Sequence, residues 1–231
     1  MFSTVIRHPL SLSSSAPVVF IQYLAALAIV TGIQSYDTGY ERLPVRLKWP
    51  NDIYALDPAI ADKSTIPSKG PIVTEDERKK YVKIGGILVN SSYSGGDYTL
   101  VCGVGVNVSN SSPTTSLNML AAKQGLPPFA LEKLLASILT NFETLYDRFC
   151  KSGFSKEFEE VYYKYWLHSE QIVTLEAEGG QKARVKGITK DWGLLVAEEL
   201  GWEDRPTGKR FELQSDSNSF DFFKGLLKRK V

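Results

Sequence analysis

The chain has 231 residues, of which 43% are hydrophobic and 23% are charged, and its formal net charge is +1. These values are typical of a globular chain that is long enough for one domain and a small second one. The near-neutral charge provides no basic face, so we expect no nucleic-acid partner. The two cysteines, Cys102 and Cys150, form neither a disulfide framework nor a metal-binding pattern. Free thiols favour a reducing compartment, which we take to be the cytoplasm.

The first part of the chain predicts a strand followed by a buried helix. Residues 1–6 have a strand pattern, and residues 7–9 read as a loop. Residues 17–33 are strongly apolar and rich in alanine, which favours a helix packed against a sheet, with Ser14 or Ser15 as its N-cap. A membrane span is the alternative for an apolar segment of this length. No basic region precedes the segment, and we expect no membrane association.

One short strand and a polar insert come next. Residues 45–49 alternate between apolar and basic side chains, which predicts a strand with one buried face. Trp49 lies on the apolar face, so we expect it in the core, with stacking on an adenine ring as the alternative. Pro50 then ends strand pairing. Residues 57–80 show little apolar periodicity and predict a mobile insert, whose charged end at residues 75–80 is solvated.

A hairpin and two helices follow the insert. Residues 82–93 and 98–108 predict an antiparallel pair, because Ser-Gly-Gly-Asp at residues 94–97 is a typical tight-turn sequence. Apolar residues at helical spacing then predict amphipathic helices over residues 129–149 and 154–167.

After residue 168 the pattern changes to short strands separated by glycine-containing turns. The predicted strands are residues 172–175, 183–188, 193–197 and 210–213. Such a series of short strands predicts a small β-barrel of the SH3 kind. The predicted fold class is therefore α+β. A mixed, largely antiparallel sheet packed by helices occupies residues 1–168, and an SH3-like barrel occupies residues 169–231.

Several common catalytic patterns do not occur in the sequence. It contains no serine-hydrolase elbow, no Walker loop and no zinc-binding pattern. The two histidines, His8 and His168, have no partner at catalytic or metal-binding spacing, so we expect both in loops or on the surface.

Three motifs place chemically useful residues at the ends of strand-like runs. They are KWPND at residues 48–52, KIGGIL at residues 83–88 and GVGVN at residues 103–107. Strands provide rigidity, and glycines let a ligand approach the backbone. The motifs therefore predict a ligand site at one end of the sheet.

Lys83 and the glycine pair after it are the first candidates for that site. At the start of a strand, the ammonium of Lys83 can contact a carboxylate or a phosphate, although an exposed surface lysine is the common alternative. Gly85 and Gly86 leave room for a ligand, and they could equally relieve strain at a bulge.

Polar residues at the ends of the other two motifs are further candidates. Asn107 can donate and accept hydrogen bonds with a nucleotide phosphate or a metal-bound water. Asp52 can hold a nucleotide directly or through a magnesium-bound water, or it can cap the turn after Pro50.

The order and spacing of the three motifs resemble the catalytic domain of the biotin protein ligases, also called holocarboxylase synthetases. In that family a small barrel follows the catalytic domain, so the resemblance extends over the whole chain. It implies a class II synthetase-like fold and two reactions. Biotin and ATP form biotinyl-AMP, and the biotinyl group is then transferred to a lysine of a biotin carboxyl carrier domain. ATP and biotin would be the substrates, with Mg²⁺ as the accompanying ion.

The resemblance also implies a role for each motif residue. Lys83 would be the catalytic residue, in contact with both the biotin carboxylate and the nucleotide phosphate. The biotin-binding residues would be Lys83, Gly85, Gly86, Ile87 and Leu88. The nucleotide-binding residues would be Asn51, Asp52, Gly103, Gly105, Val106 and Asn107. No residue is assigned as a direct metal ligand.

The chain departs from this family at its start. Biotin protein ligases carry a glycine- and arginine-rich loop shortly before the strand that matches residues 2–6, and a Ser/Thr-containing strand and loop before that. This sequence begins after both, so it resembles the C-terminal part of a fungal or other eukaryotic ligase. One alternative to an active ligase is an inactive fragment or a module that binds the carrier. A second is lipoate or octanoyl transfer on the related fold, which KWPND and the terminal barrel disfavour.

Overall fold

The computed structural model describes residues 1–59, 74–110, 115–215, 218–221 and 224–229. It contains two mostly antiparallel sheets with helices, which confirms the predicted α+β class. Among the described residues, no helix is long and apolar enough to span a membrane.

The first sheet has five strands, all paired antiparallel. They are β1 (Phe2–Pro9), β2 (Val45–Lys48), β3 (Asp52–Leu56), β4 (Tyr81–Ser94) and β5 (Asp97–Val106). Their spatial order is β1-β5-β4-β3-β2. The predicted hairpin between β4 and β5 is confirmed. Gly95 and Gly96 form its turn with φ of 66° and 93°, the left-handed region that glycine adopts most readily and that two-residue hairpin turns require.

One prediction about this sheet was wrong. Residues 7–9 are not a loop, because β1 continues through them and pairs His8 with Tyr98 and Pro9 with Asp97. The long β4–β5 hairpin supplies the partner, and a proline is tolerated at the end of an edge strand. Pro50 lies where strand pairing stops, as predicted, since β2 ends at Lys48 and residues 49–51 form the turn into β3, with Lys48 and Asp52 as the closing pair.

Five α-helices accompany the sheets in the described part of the chain. They are α1 (Ile21–Gln34), α2 (Glu75–Arg78), α3 (Leu117–Lys123), α4 (Leu131–Ser152) and α5 (Lys156–Tyr165). Helix α1 starts after a 3-10 turn at Val18–Phe20 and has no side-chain cap, so the predicted N-cap at Ser14 or Ser15 was wrong. It is buried nearly all round between the first sheet and α4. A Cβ added at Gly32 would lie 2.8 Å from the Cα of Ile138, so the small residues of α1 allow this close packing.

The charged end of the predicted insert is not simply solvated. Arg78 in α2 is only 5% exposed. Its Nε donates to the carbonyl oxygen of Leu167 at 2.8 Å, and its NH2 donates to that of Ser169 at 2.7 Å. These bonds attach α2 to the segment after α5. The central part of the insert, residues 60–73, lies outside the described residues.

The second sheet follows α5. Its strands are β6 (Ile172–Leu175), β7 (Gln181–Ile188), β8 (Leu195–Leu200), β9 (Pro206–Leu213), β10 (Asn218–Asp221) and β11 (Leu226–Arg229). They lie in the order β10-β11-β6-β7-β8-β9, with a parallel pairing between β11 and β6. The described strands form an open series with β10 and β9 at its ends. A small sheet of short strands is therefore present as predicted, and its described strands do not close into a barrel.

One hydrophobic core runs from the first sheet into the second. We call residues 166–171, which connect α5 to β6, the junction. Leu167 N–H donates to the carbonyl oxygen of Leu47 in β2 at 2.8 Å, and Tyr23 Oη donates to that of Gly193 before β8 at 2.6 Å. The division into residues 1–168 and 169–231 stays a prediction, and the packing across it is continuous.

Candidate functional site

A β-bulge in β4 sets the direction of the Lys83 side chain. Tyr54 of β3 pairs with Lys83 and Ile53 pairs with Gly85, so Ile84 has no opposite residue in the register. Bulges of this kind re-aim side chains. Ile84 turns into the core, whereas the side chain of Lys83 is 52% exposed. The carbonyl oxygen of Ile84 accepts the N–H of Asn107 at 2.7 Å, which ties the end of β5 to the bulge.

Asp52 lies between two lysines. One carboxylate oxygen is 2.6 Å from Lys83 Nζ, and the other is 3.2 Å from Lys48 Nζ. The side chains of Asp52 and Lys48 are 15% and 14% exposed, so the more open member of the cluster is Lys83. Two positive charges and one negative charge leave a net charge of +1, which favours an anion near Lys83.

The tyrosine next to this cluster stays uncharged. Burial raises the pKa of Tyr54 to about 12, and the negative charge of Asp52 acts in the same direction. Burial also raises the pKa of Cys102, on β5, to about 11. Both cysteines are free, as predicted. Neither the phenol nor this thiol is therefore an anionic nucleophile at neutral pH.

The two glycines of the second motif serve different purposes. A Cβ at Gly85 would lie 2.5 Å from the carbonyl oxygen of Gly105, so Gly85 allows β4 and β5 to approach. A Cβ at Gly86 would lie 3.4 Å from Asp52 Oδ1 and 3.6 Å from Lys83 Nζ. Gly86 therefore leaves open the space directly beside the charged cluster.

Asn51 is held in place by β4. Its Nδ2 donates to the carbonyl oxygen of Ile87 at 2.7 Å, and Ile87 N–H donates to its backbone oxygen at 2.9 Å. The side chain of Ile87 belongs to the core, whereas Leu88 is 63% exposed. The loop at residues 49–51 is thus fixed against the strand that carries Lys83.

These residues surround an open cavity of about 650 Å³. Its lining includes eight predicted site residues, which are Asn51, Asp52, Lys83, Gly86, Ile87, Leu88, Gly103 and Gly105. We call this surface the ligand face. Met1, Phe2, Ser3 and Val104 also line the cavity. Three predicted site residues, Gly85, Val106 and Asn107, lie beside it instead of lining it.

The volume and lining suit a small anionic molecule. A cavity of this size is within the range of small-molecule sites, which combine apolar walls with a few polar groups. Lys83 and Asp52 are the charged residues of the lining, and Leu88 and Phe2 are exposed or half-buried apolar residues. Within the described part of the chain, no cluster of three or more His, Cys, Asp or Glu residues could hold a metal ion by itself.

Sequence reasoning missed two residues near this site. Lys48 was assigned only to the outer face of a strand, although it opens the KWPND motif and holds Asp52. His168 was expected in a loop or on the surface, and so was His8. Both imidazoles are fully buried. His168 does lie in the connection between α5 and β6, as expected of a loop residue, whereas His8 lies inside β1, so the prediction for His8 was wrong. The partners of His168 and His8 are Trp49 and Tyr146, and residue spacing carries no signal for contacts between such distant positions.

Comparisons with known proteins agree with the motif pattern. Residues 1–107 match the model of the biotin/lipoate A/B protein ligase family. The whole chain is 43% identical to the biotin–protein ligase of Schizosaccharomyces pombe and covers 35% of that protein. Over 96% of its length it is 34% identical to biotin–protein ligase 2 of Arabidopsis thaliana and covers 60% of it. The chain thus spans about a third to three fifths of these two relatives.

Solved structures share the fold. The crystal structure of the biotin protein ligase from Aquifex aeolicus matches with a TM-score of 0.59, over 92% of this chain and 79% of that chain, at 17% identity. The same ligase in complex with biotin and ATP matches with a TM-score of 0.55, over 99% of this chain and 78% of that chain.

Proposed function

Since residues 1–107 match the model of the biotin/lipoate A/B protein ligase family, we propose that the chain acts in biotin–protein ligation. In the first step a biotin carboxylate oxygen attacks the α-phosphorus of ATP, which forms biotinyl-AMP and releases pyrophosphate. In the second step a carrier lysine amine attacks the acyl carbon and releases AMP. The observation that carries the proposal is the cluster of Lys83 and Asp52 beside the open space at Gly86.

Lys83 is the catalytic residue in this proposal. Biotin carboxylate and the α-phosphate are both negatively charged, and they must approach each other for the first step. An ammonium group placed between them reduces their repulsion and stabilises the charge that accumulates in the transition state. Lys83 is the half-exposed member of a cluster with net positive charge, which supports this role.

The two substrates occupy opposite sides of Lys83. Biotin lies along Gly85, Gly86, Ile87 and Leu88, where the absence of a side chain at Gly86 lets a ring or chain approach the backbone. The nucleotide lies along Asn51, Asp52, Gly103, Gly105, Val106 and Asn107. The open lining at Gly103 and Gly105 and the fixed side chain of Asn51 support this arrangement.

Magnesium accompanies the nucleotide. Mg²⁺ is commonly bound through one or two carboxylates together with substrate phosphates, and it keeps several of its waters. Asp52 is the carboxylate that lines the cavity, and because both of its oxygens face lysine ammonium groups, it would hold the ion through a magnesium-bound water. When bound, the ion would neutralise phosphate charge.

The proposed partners are the biotin carboxyl carrier domains of carboxylases, which supply the acceptor lysine. The proposed compartment is the cytoplasm, because the free thiols Cys102 and Cys150 suit a reducing environment.

The test is an assay of the purified chain with biotin, Mg-ATP and an apo carrier domain. We expect biotin-dependent exchange of pyrophosphate into ATP, and biotin on the carrier only when ATP is present. Lipoate and octanoate in place of biotin are the controls for the related transfer reaction. The absence of both pyrophosphate exchange and a saturable biotin-binding signal would disprove the proposal. A preference for lipoate would replace it with the related transfer reaction.

A further inference from the structure

His168 makes a hydrogen bond to the loop that starts the ligand face. Its Nε2 lies 2.9 Å from the backbone nitrogen of Trp49, 119 positions earlier in the chain. Its Nδ1 lies 2.9 Å from Oε1 of Gln171. The imidazole is fully buried, with its ring edge-to-face against Trp166 at 5.6 Å between centroids. It therefore belongs to the junction and contacts the first sheet.

The two hydrogen bonds define the protonation state of the ring. A backbone N–H can only donate, so Nε2 of His168 must be the unprotonated acceptor. Nδ1 then carries the proton and donates to the amide oxygen of Gln171. Burial, together with the positive charges of Lys48 and Arg78, lowers the pKa of His168 to about 3. The ring is thus neutral at physiological pH and remains an acceptor.

The loop that receives this bond leads directly into the ligand face. Trp49 is the first residue after β2, and residues 49–51 connect it to Asp52. The Trp49 side chain is fixed as well, because its Nε1 donates to Tyr23 Oη at 2.9 Å. Asn51, two residues later, has both its side chain and its backbone oxygen bonded to Ile87. The loop is therefore fixed at its start by the junction and at its end by β4.

Arg78 fixes the junction from its other side. It donates to the carbonyl oxygens of Leu167 and Ser169, the two neighbours of His168 in the chain. Trp166 Nε1 also donates to Ser169 Oγ at 2.7 Å. The imidazole is consequently carried by a segment whose backbone has little freedom to follow a displaced loop.

We propose that His168 is a positioning residue for the ligand face, because its Nε2 acceptor fixes the backbone of the loop at residues 49–51 and so directs Asn51 and Asp52 toward the nucleotide. The test of this role by KM values rests on the proposed function, whereas the test by backbone amide signals does not. A residue of the junction would thereby influence nucleotide affinity without touching the nucleotide.

A pair of conservative substitutions isolates the Nε2 contact. In His168→Gln the amide oxygen can occupy the position of Nε2 and accept from Trp49. In His168→Asn the amide reaches only the position of Nδ1, so the Gln171 contact can remain while the Trp49 contact is lost. His8→Asn is the matched control, because it removes the other buried imidazole, which contacts Tyr146 and not the loop.

We expect His168→Asn to raise the KM for ATP roughly fivefold, the scale of one lost hydrogen bond, with the KM for biotin changed less than about twofold. His168→Gln should stay close to the wild-type values. His8→Asn should lower the melting temperature without changing either KM. The inference is overturned if His168→Asn behaves like His8→Asn, or if His168→Gln loses nucleotide affinity to the same degree as His168→Asn.

Nuclear magnetic resonance provides the readout that does not need turnover. The ¹⁵N shifts of the His168 ring should show the Nδ1–H tautomer. The backbone amide signals of Asn51, Asp52 and Ile87 should shift in His168→Asn and not in His168→Gln. If the wild-type chain does not activate biotin, only the proposed function is disproved, and these amide signals still test the positioning role. Unshifted amide signals in a folded His168→Asn chain would disprove the positioning role.

Discussion

The ligand face and the junction differ in how their residues are brought together. The side chains around Lys83 come from three short motifs, and each motif can be recognised in the sequence. The junction joins residues separated by 119 positions, as in the contact of His168 with Trp49. The ligand face is open, whereas His168 and three other residues of the junction, Trp166, Leu167 and Gln171, are buried. The proposed site residues are thus concentrated in local motifs, and the proposed positioning of the loop at residues 49–51 depends on distant, buried contacts.

The largest effect is expected on the ligand face. Lys83→Met should lower adenylate formation by about 10²–10³-fold, because a single electrostatic group in an active site contributes on this scale. Biotin-dependent pyrophosphate exchange measures it. Lys79→Met is the matched control, since Lys79 is equally exposed at 53% and forms an ion pair with Glu75 at 2.7 Å. Activity within threefold of wild type in Lys83→Met would remove Lys83 from the mechanism.

The two glycines of β4 separate stability from binding on the same strand. Gly85→Ala should lower the free energy of unfolding by roughly 1–3 kcal/mol, because the new methyl group would overlap the backbone of Gly105. Gly86→Ala has ordinary contact distances, so it should keep its stability and weaken biotin binding. Urea unfolding and calorimetric titration measure the two quantities. Equal stability of the two variants would contradict this division.

The buried histidines predict a pH dependence of stability. Burial lowers the pKa of His168 to about 3 and also lowers that of His8. Below about pH 6.5 the unfolded chain binds protons on both rings, whereas the folded chain leaves His168 unprotonated and binds fewer protons on His8. The free energy of unfolding should therefore fall as the pH falls from 7 to 5, by at most about 1.4 kcal/mol per pH unit for each histidine.

Chemical denaturation at several pH values checks this dependence. His168→Gln should show a shallower slope than wild type, because one of the two titrating groups is gone. An unchanged slope in that variant would mean that the folded chain protonates His168.

A smaller effect is expected where the second sheet meets α1. Tyr23→Phe removes the hydroxyl that accepts from Trp49 Nε1 and donates to the Gly193 carbonyl. Trp49 Nε1 is already 3.4 Å from that carbonyl oxygen, so a direct bond can partly replace the lost ones. We expect a loss of about 1 kcal/mol in the free energy of unfolding. A loss above about 3 kcal/mol would mean that the two groups stay unpaired.

Local patterns predicted most of the elements but not their long-range contacts. The turn at Gly95 and Gly96 was recognisable because its residues by themselves favour a hairpin. The burial of His168 and Arg78 was not, because polar side chains are usually exposed and only distant partners make their burial favourable. The continuation of β1 through residues 7–9 likewise depended on β5, whose paired residues lie about ninety positions later in the chain.

The same principle holds for the site. The motifs predicted one ligand site that includes Asp52 and Lys83, and the two side chains do form an ion pair. They could not predict that Lys48 would share Asp52, because that contact depends on the register of β2 and β3. The glycine pair suggested a bulge, but its position at Ile84 could not be predicted, because it depends on the pairing of β4 with β3.

The contact of Tyr23 with Gly193 has a consequence for synthesis on the ribosome. Tyr23 and Trp49 emerge early, but the carbonyl that completes their hydrogen-bonded group belongs to a residue 170 positions after Tyr23. At about 5–20 residues per second, the delay is on the order of ten seconds. During that interval the apolar α1 has no complete set of partners, so the nascent chain should engage chaperones that bind exposed apolar segments until the second sheet emerges.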